Sequence, residues 1–234
     1  MTGRKPWFCA DLPLLDYRKA RDLQLELVAA RKAGILPANI LLLLEHNPIF
    51  TLGHRSRRDN LTVSEDLLQE RGIPLVRVER GGDITFHGPG QLVGYPIMNL
   101  HAARLTVTDY VDRLEEVMIR TAESWGVRAG RNAINRGVWV GNAKLGSIGI
   151  GIRHGITFHG FAFNVNLSLE PFAWINPCGL KGIGITSLKQ ELSREVSMEK
   201  VREQMKQNIQ AVFDVAFEPM DLSGLSRFQQ AGKS

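Results

Sequence analysis

Segments with the pattern of β-strands follow one another in groups along this chain, and segments with the pattern of amphipathic helices separate the groups. Strands are predicted at residues 40–44, 75–78, 84–86, 91–100, 137–140, 145–152 and 156–165. Helices are predicted at residues 14–32, 64–70, 106–126 and 197–213. This order favours an α+β fold, with a mixed, largely antiparallel sheet flanked by helices, over a doubly wound parallel sheet.

Capping residues define the ends of the predicted helices. Thr106 and Asp109 form a capping box at the start of the long third helix. Ser64 and Ser197 are placed to cap two others, and Gly34 follows the first helix, where glycine commonly ends a helix. We therefore expect the helices to begin and end close to these residues.

The length of 234 residues favours a single domain. The longest apolar run, residues 40–44, is far shorter than the about 20 residues of a membrane helix, and residues 1–13 lack the apolar stretch of a signal peptide. The two cysteines, Cys9 and Cys178, are too few for a disulfide framework. We therefore expect a cytoplasmic protein with reduced thiols and no membrane association.

The formal net charge is +5, from 29 basic and 24 acidic residues. A basic surface can steer acidic partners, although an effect on solubility alone is the simpler interpretation. The longest basic block is Arg55-Ser-Arg-Arg58, and neither zinc-finger spacing nor an RNA-binding aromatic motif accompanies it. Nucleic-acid binding is therefore not expected.

Cys178 lies in Asn176-Pro-Cys-Gly-Leu180, where the proline and the glycine predict a rigid, irregular turn. Such a turn leaves backbone N–H groups free, and free N–H groups beside a nucleophile can form an oxyanion hole. The alternative is a buried cysteine that acts as a small apolar side chain. That alternative is the stronger one for Cys9, which lies near the terminus in an ordinary alternation of apolar and polar residues.

A cysteine nucleophile has to be ionised, and a neighbouring cation favours the thiolate. The candidate partners are Lys144, Lys181, His87 and His159. Lys144 begins a predicted strand in an apolar, glycine-rich stretch, where partial burial would favour the neutral amine and let it exchange a proton. The alternative is a surface lysine beside a hairpin turn.

Two elements with a His-Gly pair can form a binding slot. In Arg80-Gly-Gly-Asp-Ile-Thr-Phe-His-Gly-Pro-Gly-Gln91 the glycines let a ligand approach the backbone closely, although two sharp turns around a core histidine are the alternative. The second pair is His159-Gly160, and the small residues Gly160 and Ala162 leave room for an alkyl chain. The first element matches neither common nucleotide-binding motif, and the six histidines show no metal-ligand spacing. No metal and no cofactor are therefore expected.

Four motifs, in order along the chain, resemble those of the lipoyl(octanoyl) transferases, also called octanoyl-acyl carrier protein:protein octanoyltransferases. They are residues 80–91 with Tyr95, Gly141-Asn-Ala-Lys-Leu-Gly-Ser-Ile-Gly149, Gly155-Ile-Thr-Phe-His-Gly-Phe-Ala162 with Asn164-Val-Asn166, and Pro177-Cys-Gly179 with Ile185-Thr-Ser-Leu188. The resemblance implies a fold like the catalytic domain of biotin and lipoate protein ligases. It also implies one acyltransferase domain over residues 1–234, with its core at about residues 30–215.

The resemblance assigns roles to individual residues. Cys178 would carry the acyl thioester, Lys144 would keep it ionised and exchange protons, and N–H groups near Gly179 or the Gly81-Gly82 turn would hold the oxyanion. Phe161 is bulkier than the small aliphatic residue usual in this family. The residues expected to line the octanoyl site are Arg80, Gly81, Gly82, Asp83, Ile84, Thr85, Phe86, His87, Ser147, Ile148, Gly149, Gly160, Phe161 and Ala162.

The implied reaction is the first step of lipoate cofactor biosynthesis. Octanoyl-acyl carrier protein would be the donor, and lipoyl domains of 2-oxoacid dehydrogenase complexes and the glycine cleavage H protein would be the acceptors. Arg55, Arg57 and Arg58 are reasonable docking residues for such acidic partners, and a solvated basic loop is the alternative. Two other functions stay open: an ATP-dependent lipoate or biotin protein ligase, although no G-R-G-R-x-G loop occurs, and a non-catalytic binding module. A third, nucleic-acid binding, would rest on the basic charge alone.

Overall fold

A computed structural model describes residues 4–54, 56, 60–133, 135–176 and 184–220 of the chain. Its strands are β1 (Lys5–Leu15), β2 (Asn39–His46), β3 (Ile49–Leu52), β4 (Leu75–Arg77), β5 (Ile84–His87), β6 (Gln91–Ile97), β7 (Val138–Val140), β8 (Ala143–Arg153), β9 (Ile156–Asn164), β10 (Gly184–Ile185) and β11 (Val215–Pro219). Its α-helices are α1 (Tyr17–Lys32), α2 (Glu65–Glu70), α3 (Leu100–Ala103), α4 (Val107–Glu123), α5 (Leu188–Leu192) and α6 (Met198–Phe213), and Glu170–Trp174 form a 3₁₀ helix.

The apolar run at residues 40–44 lies in β2, near the middle of the larger sheet, and each of its side chains is 0% exposed. Successive side chains of a strand point to opposite faces, so both faces must be covered for such a run to be buried. Leu41 and Leu43 pack in the core cluster that contains residues of α4 and α6. Leu42 and Leu44 pack in the cluster on the α1 side. The continuous apolar run therefore reflects a sheet between two helical layers.

The larger sheet has the strand order β10-β8-β9-β6-β2-β1-β11, and β7 also pairs with β8. The pairs β2–β6, β6–β9, β8–β9 and β7–β8 are antiparallel, whereas β1–β2, β1–β11 and β8–β10 are parallel. The predicted α+β fold with a mixed, largely antiparallel sheet is therefore confirmed.

A smaller sheet, in the order β4-β3-β5, holds the glycine-rich residues 80–83 at the entrance to β5. Its own hydrophobic cluster includes Phe50, Phe86 and Phe172. The rings of Phe50 and Phe86 are 5.1 Å apart, and those of Phe86 and Phe172 are 5.9 Å apart. This packing fixes β5, and therefore the turn before it, against the rest of the fold.

Helices α2, α4 and α6 begin where their capping residues predict. In α4 the Thr106 hydroxyl accepts a hydrogen bond from Asp109 N, and the Asp109 carboxylate accepts one from Thr106 N. The Ser64 hydroxyl accepts a hydrogen bond from Leu67 N at the start of α2, and the Ser197 hydroxyl accepts one from Lys200 N at the start of α6. Among the described residues, no helix has both the length and the apolar character required to cross a bilayer.

The prediction for the first helix was wrong at its start. Leu14 and Leu15 belong to β1, and α1 begins at Tyr17, because the Asp16 carboxylate accepts hydrogen bonds from Arg18 N and Lys19 N. β1 lies between β2 and β11, and β11 comes from the opposite end of the described chain. Local periodicity carries no information on such a long-range pairing, so the sequence did not predict β1 or β11.

Candidate active site

A cavity of about 630 Å³ opens where the start of α1, residues 80–87 and strands β8 and β9 meet. Of the residues predicted to form the acyl site, those that line it are Lys144, Arg80, Gly81, Gly82, Asp83, Ile84, Thr85, His87, Ser147, Ile148, Gly149, Gly160, Phe161 and Ala162. Phe86 departs from the prediction, because its ring packs with Phe50 and Phe172 in the cluster of the smaller sheet. The strand alternation points Phe86 away from the face that carries Thr85 and His87.

Close approach between β9 and β6 shapes one wall of the cavity. A Cβ at Gly160 would overlap the carbonyl oxygen of Gly94 and would lie 2.8 Å from Pro96 Cδ. On the neighbouring strand, a Cβ at Gly149 would lie 2.9 Å from Arg80 Cδ. Glycine at 149 and 160 therefore lets the backbone and the Arg80 side chain pack without a gap.

Arg80 acts as an anchor for the glycine-rich turn. Its side chain is buried, and its Nη2 donates to the carbonyl oxygen of Thr51 at 2.7 Å and to Thr51 Oγ1 at 2.8 Å. The neighbouring Gly81 N–H donates to the carbonyl oxygen of Ile150 at 2.8 Å. The Gly81 N–H is therefore already engaged with β8, so it is not the N–H group of the Gly81-Gly82 turn that could hold an oxyanion.

Lys144 lies at the start of β8 and is only 5% exposed. Its Nζ donates to Asn135 Oδ1 at 3.0 Å and lies 5.2 Å from the centroid of the Trp139 ring. Its carbonyl oxygen accepts a hydrogen bond from Thr186 N at 3.0 Å, and its backbone pairs with Ile185 of β10. The surface-lysine alternative is therefore wrong, because the amine is held inside the cavity wall.

Buried histidine and tyrosine side chains form the polar side of the cavity. His46 Nδ1 donates to the carbonyl oxygen of Leu15 at 2.8 Å, which leaves its Nε2 to accept from the Tyr95 hydroxyl at 2.7 Å. The Tyr17 hydroxyl lies 3.4 Å from His159 Nδ1. Burial lowers the pKa of His46 to about 4 and that of His159 to about 3. These histidines are therefore neutral at physiological pH.

His87 is tied to the larger sheet by a chain of amides. His87 Nδ1 donates to Gln91 Oε1 at 2.7 Å, Gln91 Nε2 donates to Asn164 Oδ1 at 2.9 Å, and Asn164 Nδ2 donates to the carbonyl oxygen of Thr186 at 3.0 Å. Burial lowers the pKa of His87 well below its usual range. His87 is thus a neutral, oriented side chain and a poor candidate for the cation that ionises a thiol.

Several cavity residues were not singled out from the sequence. They are Tyr17, Asn135 and Arg136 on the wall, and His46 behind Tyr95. His46 is the last residue of β2 and follows the apolar run after Glu45, and a buried polar residue at the end of that strand was the signal available for it. Asn135 precedes β7 in an irregular segment, where no periodic pattern indicates the direction of a side chain.

Cys178, the predicted nucleophile, lies outside the described residues, as do Lys181, Arg55, Arg57 and Arg58. The described chain on either side is held at the cavity. Asn176 N donates to the carbonyl oxygen of Asn60 at 2.7 Å, and the Asn60 side chain bonds the carboxylate of Asp83, which lines the cavity. On the other side, Ile185 lines the cavity next to Lys144.

Cys9 does not face this cavity. It lies half-buried in β1, paired with Leu41 of β2, and it packs at the edge of the core on the α4 and α6 side. Burial raises the pKa of the Cys9 thiol to about 12. Cys9 is therefore a protonated, structural cysteine at neutral pH, as its sequence context predicts.

Comparison with known proteins points to one family. Residues 16–210 match the model of the lipoyl protein ligase A/B catalytic domain. An octanoyltransferase of Desulfotalea psychrophila is 49% identical over 200 residues, which cover 85% of this chain and 90% of that protein. An octanoyltransferase of Syntrophobacter fumaroxidans is 42% identical over 207 residues, which cover 88% of this chain and 90% of that protein. The sequence resemblance to octanoyltransferases is confirmed.

Solved structures agree with this assignment at the level of the fold. A lipoate-protein ligase A bound with ATP superposes with a TM-score of 0.72 at 16% identity, covering 98% of this chain and 94% of that one. A bipartite lipoate protein ligase from Thermoplasma acidophilum gives a TM-score of 0.69 at 16% identity, covering 98% and 92%. The expected likeness to lipoate protein ligases is therefore confirmed for the fold. On its sequence and its architecture, the chain belongs to the lipoyl protein ligase A/B catalytic domain family.

Proposed function

We propose that this protein is an octanoyltransferase that carries its acyl group on Cys178 and uses Lys144 as the proton donor and acceptor. The observation that carries the proposal is the buried Lys144 amine in the wall of a cavity that also has apolar lining residues. Octanoyl transfer in lipoate biosynthesis agrees with the octanoyltransferase relatives.

Chain connectivity supports a thiol near Lys144. Cys178 precedes Gly184 by six positions, and six residues span at most about 20 Å. Gly184 and Ile185 pair with Ala143 and Lys144, and Asn176 is bonded to Asn60 beside the cavity residue Asp83. Both described flanks of the Cys178 segment are thus attached to the cavity wall.

The first half-reaction exchanges one thioester for another. The Cys178 thiolate attacks the thioester carbonyl of the donor and the carbon–sulfur bond to the carrier breaks. The carrier sulfur leaves as a thiol, with a proton from the Lys144 ammonium, which becomes neutral. The charged Lys144 amine stabilises the thiolate beforehand. Because the product is again a thioester, the acyl group stays activated and no ATP is required.

The second half-reaction forms an amide. A lysine amine of the acceptor attacks the acyl carbonyl, and the bond to Cys178 sulfur breaks. That amine is protonated at neutral pH, since its usual pKa is about 10.4, so it must lose a proton before it attacks. That first proton passes to solvent. As the amide forms, the attacking nitrogen loses a second proton to neutral Lys144, and the resulting ammonium stabilises the departing Cys178 thiolate.

The octanoyl chain would lie along the apolar side of the cavity. Val93 and Ala162, which pair across β6 and β9, supply this side. Burial of an alkyl chain against such residues contributes roughly 0.8 kcal/mol per methylene group. The neutral state of His87 and His159 also fits, because a charged imidazole would make the slot unfavourable for an alkyl chain.

The partners follow from the same proposal. Octanoyl-acyl carrier protein would be the donor, and lipoyl domains of 2-oxoacid dehydrogenase complexes and the glycine cleavage H protein would be the acceptors. Arg55, Arg57 and Arg58 would attract these acidic proteins to the enzyme. The enzyme would form a single acyltransferase domain over residues 1–234, with its core at about 30–215, and would act in the cytoplasm. Charge reversal at the three arginines should slow association and weaken its salt dependence, and unchanged kinetics would remove them from the interface.

Incubation with the octanoyl donor alone tests the covalent role of Cys178. Intact-protein mass spectrometry should show one octanoyl adduct, and peptide mapping should place it on Cys178. Cys178→Ala should show no adduct, whereas Cys9→Ala should be acylated at the wild-type rate. An adduct on another residue, or full transfer activity in Cys178→Ala, contradicts the proposal.

The alternative is an ATP-dependent ligase, which the likeness to the lipoate-protein ligase fold favours. That activity would attach free octanoate to a lipoyl domain only when ATP is present. We expect no attachment from free octanoate with ATP, and complete transfer from the octanoyl thioester without it. The reverse result would assign the chain to the ligases.

A further inference from the structure

Residues of β7 and of the segment before it contact the side chain of Lys144. Asn135 Oδ1 accepts the Nζ hydrogen bond at 3.0 Å, and the Trp139 ring lies 5.2 Å from Nζ. A Cβ at Gly137 would lie 2.6 Å from Lys144 Cε, so only a glycine leaves space for the alkyl stem. We call Asn135, Gly137 and Trp139 the Lys144 cradle.

The cradle is internally linked. The Trp139 indole Nε1 donates to the carbonyl oxygen of Asn135 at 3.2 Å, so the ring that faces the amine also holds the backbone of the residue that binds it. Gly130 and Trp139 exchange two backbone hydrogen bonds, at 2.8 and 2.9 Å. The position of Asn135 is therefore set by its neighbours in the cradle.

A buried carboxylate of α4 fastens the cradle to the core. Glu115 is 1% exposed, and its Oε1 accepts a hydrogen bond from Gly137 N at 2.9 Å. Its Oε2 accepts from Arg136 Nη1 at 3.1 Å and from Arg131 Nε at 3.2 Å. A buried carboxylate is stable only when it is fully bonded, and this one takes its bonds from the segment that carries Asn135.

Two further acidic residues of α4 complete the attachment. Arg136 also pairs with Asp112, and Arg131 also pairs with Glu116 at 3.0 Å. These outer pairs are half-exposed, so each contributes little by itself. Together with Glu115 they hold both ends of residues 131–136 against one helix.

We propose that Asn135 is a positioning residue for Lys144 and that Glu115 fixes the segment from which Asn135 acts. The amide oxygen is an acceptor only, so it takes a hydrogen bond from either protonation state but binds the charged ammonium more strongly. Asn135 therefore influences both where the amine points and how readily it gives up a proton. This inference rests on the proposed role of Lys144 as the proton acceptor.

The test uses octanoylated enzyme and follows single-turnover transfer to a lipoyl domain across a series of pH values. In the acyl-enzyme the thiol is esterified, so it does not titrate. The rate then rises with pH as Lys144 becomes neutral and as the acceptor lysine, which is the same in every experiment, loses its proton. Among the described residues, the other titratable groups that line the cavity are the same in the wild type and in both Asn135 variants; they are Tyr17, Arg80, Asp83, His87, Tyr95, Arg136 and His159.

Two substitutions at one position should shift this rise in opposite directions. Asn135→Ala removes an acceptor that favours the ammonium, so the rise should move to lower pH by about one unit. Asn135→Asp places a carboxylate beside the amine, so the rise should move to higher pH by about one unit. A structural perturbation alone would not give two shifts of opposite sign.

Asn208→Ala is the matched control. Asn208 Nδ2 donates to Thr121 Oγ1 at 3.0 Å between α6 and α4, away from the cavity. Its loss should lower the melting temperature and leave the pH at which the rate rises unchanged. If neither Asn135 variant moves the rise, or if both move it in the same direction, the positioning role of Asn135 is refuted.

A double-mutant cycle tests the part of Glu115. Glu115→Gln keeps an acceptor for Gly137 N but loses the charge that holds Arg131 and Arg136. It should therefore lower the pH at which the transfer rate rises, as Asn135→Ala does, but by a smaller amount. In the Asn135→Ala background it should add no further shift, because its effect passes through Asn135. A fully additive shift would refute that route.

The role of Asn135 and the covalent role of Cys178 can fail independently of each other. Absence of the Cys178 adduct would refute the covalent mechanism itself. A normal adduct with an unmoved pH dependence in the Asn135 variants would refute only the present inference.

Discussion

Gly160 lies against the carbonyl oxygen of Gly94 on the neighbouring strand, so closely that a Cβ at 160 would overlap it. The contact draws β9 and β6 together beside the cavity wall formed by Ser147 and Ala162. The requirement for glycine is therefore set by the neighbouring backbone, which cannot move aside as a flexible side chain can.

We expect Gly160→Ala to lower the free energy of unfolding by about 1–3 kcal/mol, because the added methyl group forces two strands apart. Urea denaturation measures the change. Gly130→Ala is the matched control, because a Cβ there meets no atom within 4 Å, and its effect should stay within about 0.5 kcal/mol. Equal effects at 160 and 130 would contradict the overlap.

Acidification should destabilise the fold through its buried histidines. Burial lowers the pKa of His46 to about 4, from 6.5 in an exposed chain. The unfolded chain therefore binds a proton below about pH 6.5, which the folded protein accepts only near pH 4. Stability is highest above pH 6.5 and falls between pH 6.5 and 4, by at most about 1.4 kcal/mol per pH unit for each such histidine.

Urea denaturation at several pH values between 7 and 4 measures this slope. His46→Gln should make the slope shallower, whatever its effect on stability at pH 7, because one titrating group is gone. His101→Gln, at an exposed position of α3, should leave the slope as it is in the wild type. An unchanged slope in His46→Gln would show that His46 does not contribute to it.

The two cysteines should differ sharply in reactivity at neutral pH. Burial raises the pKa of Cys9 to about 12, which leaves only a minute thiolate fraction at pH 7. Iodoacetamide should therefore label Cys178 within the time in which Cys9 stays unmodified. Mass spectrometry should find fast labelling in Cys9→Ala and almost none in Cys178→Ala, and the opposite pattern would exclude Cys178 as the ionised thiol.

Phe161 should limit the length of the acyl chain. Phe161 is among the residues that line the cavity, and its ring occupies the space left by the missing side chain of Gly94. Phe161→Leu should therefore raise the rate of acylation by a decanoyl donor relative to an octanoyl donor by roughly tenfold. Rapid-quench measurements with both donors give the ratio.

Phe163→Leu is the control for this prediction. Phe163 lies on the same strand and belongs, like Phe161, to the core cluster on the α4 and α6 side, but it is not among the residues that line the cavity. The same substitution there should reduce stability and leave the ratio of the two donors unchanged. If both variants change the ratio equally, the effect reflects general loosening of β9 rather than the length of the slot.

Local chemistry explains which parts of the structure could be predicted. The capping box at Thr106 and Asp109 and the apolar run of β2 depend on near neighbours in the chain, and both were predicted correctly. β1 and the true start of α1 were missed, because β1 is stabilised by pairing with β11, about two hundred positions away. A strand pairing of that kind leaves no local pattern.

The sequence by itself determined the family, through four motifs in order, and the residue types from which a thioester-forming site can be built. The tertiary structure alone decided how those types are used: Gly81 N–H bonds to β8, Phe86 packs outside the cavity, and Lys144 meets Asn135 inside its wall. The physical reason is that a motif specifies which groups are present, whereas their directions depend on strand pairing and burial. Both of these join residues that are distant in the chain.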